Sequence, residues 1–138
     1  MEIEESISAQ WFRRVWNERE DAAIEELLAP DGVVHGLGHP ITEVRGPAGF
    51  YEYRKAILGA FPDAQVEIVQ MVRAAGVEAV HFHVTGTQQA EFMGVPATGR
   101  PIAFHGMGFV HLVGGKMQEC WNVIDFHACL QQLTEPRE

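Results

Sequence analysis

The stretch IAFHGMGFVHLVGGKMQECWNVI, residues 102–124, decides the fold. It consists of two alternating runs on either side of Gly114-Gly115. Glycine takes positive φ at both central positions of a two-residue hairpin turn without strain, so the pair predicts a tight reversal. Strands are expected over residues 102–113 and 117–124. Upstream, residues 66–72 and 77–87 read as a second hairpin around Ala74-Ala75-Gly76. Successive side chains of a strand point to opposite faces, so each strand offers an even-numbered and an odd-numbered list.

The even list is the more apolar, with Val80, Phe82, Phe104, Val110 and Cys120, and it holds Gly86, Gly106 and Gly108. Glycines on one face suit a sharply bent sheet, so this face is expected to be concave and covered by helices. The odd list sets His81, His83, His105 and His111 among Met107, Phe109 and Trp121. An apolar surface studded with polar groups suits a subunit interface, and a homodimer packed through this convex sheet face is expected.

Helical periodicity governs the first half. Ile3, Ile7, Trp11 and Val15 form one stripe, widened by Phe12 and Trp16. Asp21 is placed to cap a short second helix with Ala23, Ile24, Leu27 and Leu28 on one face, stopped by Pro30. Residues 32–36 read as a short strand. Pro47 starts a third helix whose buried face is Phe50, Tyr53, Ile57 and Phe61. A short closing helix covers residues 126–133, capped by Asp125. Helices first and then a run of strands is an α+β pattern. The expectation is one domain over residues 1–138, with three N-terminal helices on a strongly curved antiparallel β-sheet and a short C-terminal helix.

Composition narrows the partners. Nineteen acids against ten bases give a net charge of −9, and no basic stripe offsets it. Phosphate backbones and anionic lipid are repelled, so no nucleic acid and no membrane partner is expected. Two cysteines, Cys120 and Cys129, in a chain able to build an adequate core read as reduced thiols, and the acidic N-terminus does not look like a signal peptide. A cytoplasmic protein is expected.

Several segments in order resemble the SnoaL-like polyketide cyclases, a branch of the nuclear-transport-factor-2-like fold. The loop from Glu91 to Arg100, with Gly94-Val95-Pro96, looks like that family's strand-joining loop. Trp121-Asn122-Val123-Ile124-Asp125-Phe126 is similar to its last strand and closing helix. Trp16-Asn17, Leu27-Leu28-Ala29-Pro30-Asp31 and Gly46-Pro47-Ala48-Gly49-Phe50 match its helices. The resemblance implies a cone-shaped pocket for an apolar oxygenated small molecule. It further implies ring closure by intramolecular aldol chemistry without cofactor or metal. The family's carboxylate, just after the Trp of the last strand, falls on Asn122, and the assisting His of the neighbouring strand falls on Gly108. Ketosteroid isomerases of the same fold place a Tyr and two Asp where this chain has Phe12, Gly36 and Gly108, which argues against steroid isomerisation.

Three residues are therefore candidates for catalysis. His35 is either a general base at the pocket mouth or a rim histidine. Asp125 either supplies the missing acid through a shifted register or caps the closing helix. Asn122 can hydrogen-bond a substrate oxygen but cannot exchange a proton near neutral pH, and its alternative role is to satisfy a backbone group. Phe12, Trp16, Tyr53, Phe61, Phe82, Phe104, Gly108 and Cys120 are expected to line the pocket. His81, His83 and His105 have the spacing of a strand-borne metal site but fall on the outer face. The functions in play are a cofactor-independent cyclase, isomerase or hydratase, a non-catalytic binding protein of the same fold and, third, a metal-dependent enzyme.

Overall fold

The computed structural model describes residues 6–39 and 41–136, so Ile3 at the head of the first stripe lies outside it. Helix α1 (Ile7–Gln10) opens at Ser6, whose Oγ accepts from the Ala9 N–H at 3.0 Å. It winds on as a π-helical segment, Trp11–Asn17. Asn17 ends that segment and clamps it to the sheet. Its Nδ2 donates to the Val66 carbonyl and its Oδ1 accepts from the Val66 N–H, both at 2.8 Å.

Helix α2 (Asp21–Leu27) runs straight into strand β1 (Leu28–His35). Two expectations change here. Asp21 is a helical residue, not a side-chain cap, and accepts a hydrogen bond from the Arg54 guanidinium. Pro30 lies inside β1, so the strand begins four residues earlier than its glycines suggested. A short strand, β2 (Glu43–Arg45), pairs antiparallel with the end of β1. Helix α3 (Gly46–Ala60) has Pro47 in its first turn, where the missing N–H costs nothing. The remaining strands are β3 (Gln65–Ala74), β4 (Val77–Thr87), β5 (Pro101–Val113) and β6 (Lys116–Ile124). Helix α4 (Phe126–Thr134) is capped by Asp125, whose Oδ1 accepts from the Ala128 N–H at 2.9 Å.

The six strands form one sheet in the order β2-β1-β6-β5-β4-β3. It departs from the expected strongly curved antiparallel sheet in two ways. It is mixed, because β1 lies parallel to β6, with Val34 opposite Cys120 and His35 opposite Trp121. It is also open and not strongly curved, with β2 and β3 as its two edges. The glycines taken as bend points turn out to be clearances. A Cβ on Gly106 would lie 2.5 Å from the Phe82 ring, and one on Gly108 would lie 2.6 Å from Asn122 Oδ1. These positions are kept small so that neighbouring side chains can cross the face, not so that the backbone can bend.

The face assignment holds along β4 and β5 and through most of β6. Val80, Phe82, Ile102, Phe104 and Cys120 are buried under the helices, while Met107, Phe109, Trp121 and Val123 are exposed. It fails at the start of β6. A bulge sets His111 opposite Glu119 but Leu112 opposite Met117, so Met117 turns inward and is buried. Gln118 instead donates to Asp31 at 3.1 Å. Among the described residues no helix is long and apolar enough to cross a membrane.

Candidate functional site

A cavity of about 100 Å³ lies between the helices and the inner face of the sheet, several times the room that one water needs. The π-helical segment contributes Phe12 and Trp16, and α3 contributes Tyr53 and Phe61. From the sheet come Phe82, Phe104, Gly108 and Cys120, together with Asn122. The aromatic walls brace one another. Phe12 and Phe82 have ring centroids 5.0 Å apart, and Trp16 meets the edges of Phe50 and Tyr53 at 5.8 and 6.2 Å. At the end bounded by α4, Phe61, Phe92 and Phe126 close the space, with Phe61 and Phe92 4.9 Å apart.

Polar groups are scarce in this lining, and among the described residues no Asp, Glu, His, Lys or Arg is part of it. The Tyr53 hydroxyl donates to the Leu37 carbonyl at 3.0 Å, and burial pushes its pKa well above the ordinary phenol value. Cys120 is pushed up to about 12, first by burial and then by the nearby Glu119 charge, so it is a neutral thiol. Ser8 is buried and its Oγ has no hydrogen-bond partner. Asn122 Nδ2 donates to the His35 backbone carbonyl at 3.0 Å. Two glycines hem Asn122 in. Gly36, at φ +79°, passes so close that a Cβ there would lie 1.9 Å from the Asn122 carbonyl oxygen, and Gly108 makes room for the side chain.

The other two catalytic candidates lie elsewhere. His35 is on the opposite side of β1 from Val34, which lines the cavity. Its Nδ1 lies 3.0 Å from Glu43 Oε1 and its Nε2 lies 2.7 Å from Glu119 Oε2. Its ring stacks on Trp121 at 5.5 Å. Parallel pairing with β6 produces this neighbourhood, which no local pattern announces. Asp125 caps α4 and is not part of the lining. His81 Nε2 lies 2.9 Å from His105 Nδ1 on the outer face. Among the described residues no group of three or more His, Cys, Asp or Glu has the geometry to hold a metal ion.

Ser8, Phe92 and Phe126 are among the lining residues that the sequence reading did not place in the pocket. Ser8 stands three and four residues before Trp11 and Phe12, so helical spacing would have placed it on their face. No spacing rule reaches Phe92, because it sits in the irregular loop between β4 and β5.

Residues 6–133 match the model of the SnoaL-like polyketide cyclases. The chain belongs to that family. Among solved structures, IdmH of Streptomyces antibioticus, a candidate polyketide cyclase, is 28% identical with a TM-score of 0.80 over 92% of this chain and 95% of that one. AclR of Streptomyces galilaeus, a candidate hydroxylase, is 29% identical with a TM-score of 0.78 over 96% of this chain and 85% of that one. A candidate SnoaL-like cyclase from Jannaschia sp. CCS1 reaches a TM-score of 0.83 over 95% of this chain and 91% of that one, at 19% identity, and shows the shared fold alone. No curated protein is significantly similar in sequence. Asn122, the residue at the position where the resemblance places a carboxylate, is thus an amide held by a backbone carbonyl.

Proposed function

We propose that this SnoaL-like protein is a cofactor-independent enzyme that closes or isomerises an apolar oxygenated small molecule by confinement, without a protein general base in the cavity. The observation that carries the reading is the lining itself, with aromatic rings on facing walls and a single side-chain amide among them. A flat molecule gains about 25 cal/mol for each Å² of apolar surface it buries there. Holding an enol and a carbonyl of one molecule together removes much of the barrier to ring closure, and the enol's own O–H proton passes to the carbonyl oxygen as the carbon–carbon bond forms. His35 and Asp125 then serve the framework, His35 between two carboxylates and Asp125 as a helix cap.

A second reading rests on the same scarcity of polar groups in the lining: a carrier that binds the molecule and returns it unchanged. One experiment separates the two. The protein is incubated with metabolite extract and the bound fraction is released and analysed by native mass spectrometry and chromatography. An enzyme returns a product of altered mass or retention, whereas a carrier returns the captured species. If no apolar molecule is captured, both readings fail.

We also propose a homodimer through the outer sheet face. Phe109 lies opposite Trp121 and Met107 opposite Val123. All four side chains are more than 40% exposed, and the imidazoles beside them on the same face can pair by hydrogen bonding across a self-complementary contact.

A further inference from the structure

The orientation of the Asn122 amide specifies what kind of polar group the ligand must carry. A backbone carbonyl can only accept, so the Asn122 atom 3.0 Å from the His35 oxygen must be Nδ2. That assignment leaves Oδ1 on the side of Gly108, a cavity-lining residue whose absent Cβ would lie 2.6 Å from it. Among the described residues nothing donates to Oδ1. Nor can the amide turn over to offer its NH₂ group to the cavity, because Oδ1 would then face the His35 oxygen, acceptor against acceptor.

We infer that Asn122 Oδ1 is a fixed acceptor that selects ligands presenting a hydroxyl or an N–H, and rejects those presenting only a carbonyl or ether oxygen at that place. This rests on the proposed binding of a small molecule in the cavity and names the class it takes: a flat apolar molecule with a phenolic, enolic or N–H donor at its edge. A carbonyl oxygen against Oδ1 leaves two acceptors desolvated and unpaired, which a buried site tolerates poorly. Ser8 Oγ, a buried atom of the lining without a partner among the described residues, has a rotatable hydroxyl that can donate or accept. It anchors a second oxygen of either kind and so does not discriminate. Asn122 is thus the specificity-determining residue.

Indole and benzofuran test this, being of nearly equal size and shape but differing at one atom, an N–H donor in the first and an ether oxygen in the second. Calorimetric titration of the wild-type protein is expected to show indole binding at least fivefold more tightly. In Asn122→Leu, which keeps the volume and removes the acceptor, that advantage is expected to vanish while benzofuran binding changes less than twofold. Equal affinities in the wild type, or tighter binding of benzofuran, overturn the assignment while leaving the cavity as a binding site. Failure of both probes to bind removes the cavity reading and the assignment with it. The wild-type ratio decides by itself if Asn122→Leu does not fold.

Discussion

Raising the pH to 10 should weaken the fold through its two buried thiols. In the folded chain burial pushes Cys120 up to about 12 and Cys129 up to about 11, against 9.0 for an ordinary thiol. Both pKa values are raised on folding, so the folded state holds protons that the unfolded chain releases. The stability this contributes is complete below pH 9 and is lost as pH rises towards 11 and 12. At pH 10 each unfolded thiol lies one unit above its own pKa and gains on the order of 1 kcal/mol by ionising, while the folded thiols stay neutral. Together they remove on the order of 2 kcal/mol, a sizeable share of the 5–15 kcal/mol typical of a domain.

The assay is urea unfolding at pH 8, 9 and 10 under reducing conditions, comparing wild type with the Cys120→Ala/Cys129→Ala double variant. The variant is less stable at pH 8, because it leaves two small voids, but its loss between pH 8 and 10 should be smaller than the wild-type loss by on the order of 2 kcal/mol. Tyrosine and lysine titrations are common to both proteins and cancel. Parallel losses would refute the reasoning. They would mean that the thiols ionise in the folded state, and a Cys120 thiolate in the cavity would then be a nucleophile that the proposed chemistry leaves out.

Further outcomes follow from single contacts. Gly106→Ala should cost about 1–3 kcal/mol by thermal or urea unfolding, since its Cβ would lie 2.5 Å from the Phe82 ring. Asp125→Ala should cost about 1 kcal/mol of stability through loss of the α4 cap, whereas Asp125→Asn should cost less. Once a substrate is in hand, Asp125→Asn and His35→Gln should each leave turnover within threefold of wild type, and a tenfold loss in either would return that residue to the chemistry. Phe109→Lys should convert a dimer to a monomer in light scattering, and a monomeric wild type at micromolar concentration would remove the proposed interface.

The β4–β5–β6 meander was legible because it is local. Alternation, the Gly114-Gly115 turn and the long apolar runs all act between neighbours in sequence, so Phe82, Phe104 and Cys120 could be placed on one face and are found there. The pairing of β1 with β6 was not legible, because it joins residues more than eighty apart and follows a strand that begins at Leu28, before a proline. That long-range pairing is what turns His35 outward onto Trp121. The bulge in β6 likewise exchanged Met117 and Gln118 between faces, since one extra residue inverts every later side chain until it is compensated. Asn122 lies beyond the bulge and kept its predicted face.

Gly36, His35 and Asn122 constrain one another. Gly36 lets β1 pass close to the Asn122 backbone, and that approach carries the His35 carbonyl to within 3.0 Å of the side chain. A partner for that carbonyl must donate. Asparagine donates at every pH, whereas an aspartate there would face oxygen with oxygen unless it held a proton, and burial already favours the protonated form. The contact that fixes the amide here would therefore keep a carboxyl at the same place as a neutral acid, with its O–H directed at His35 and its other oxygen at the cavity. Exchange between the two residue types preserves the shape of the site and the acceptor it shows the ligand, and changes only whether a proton is available to move.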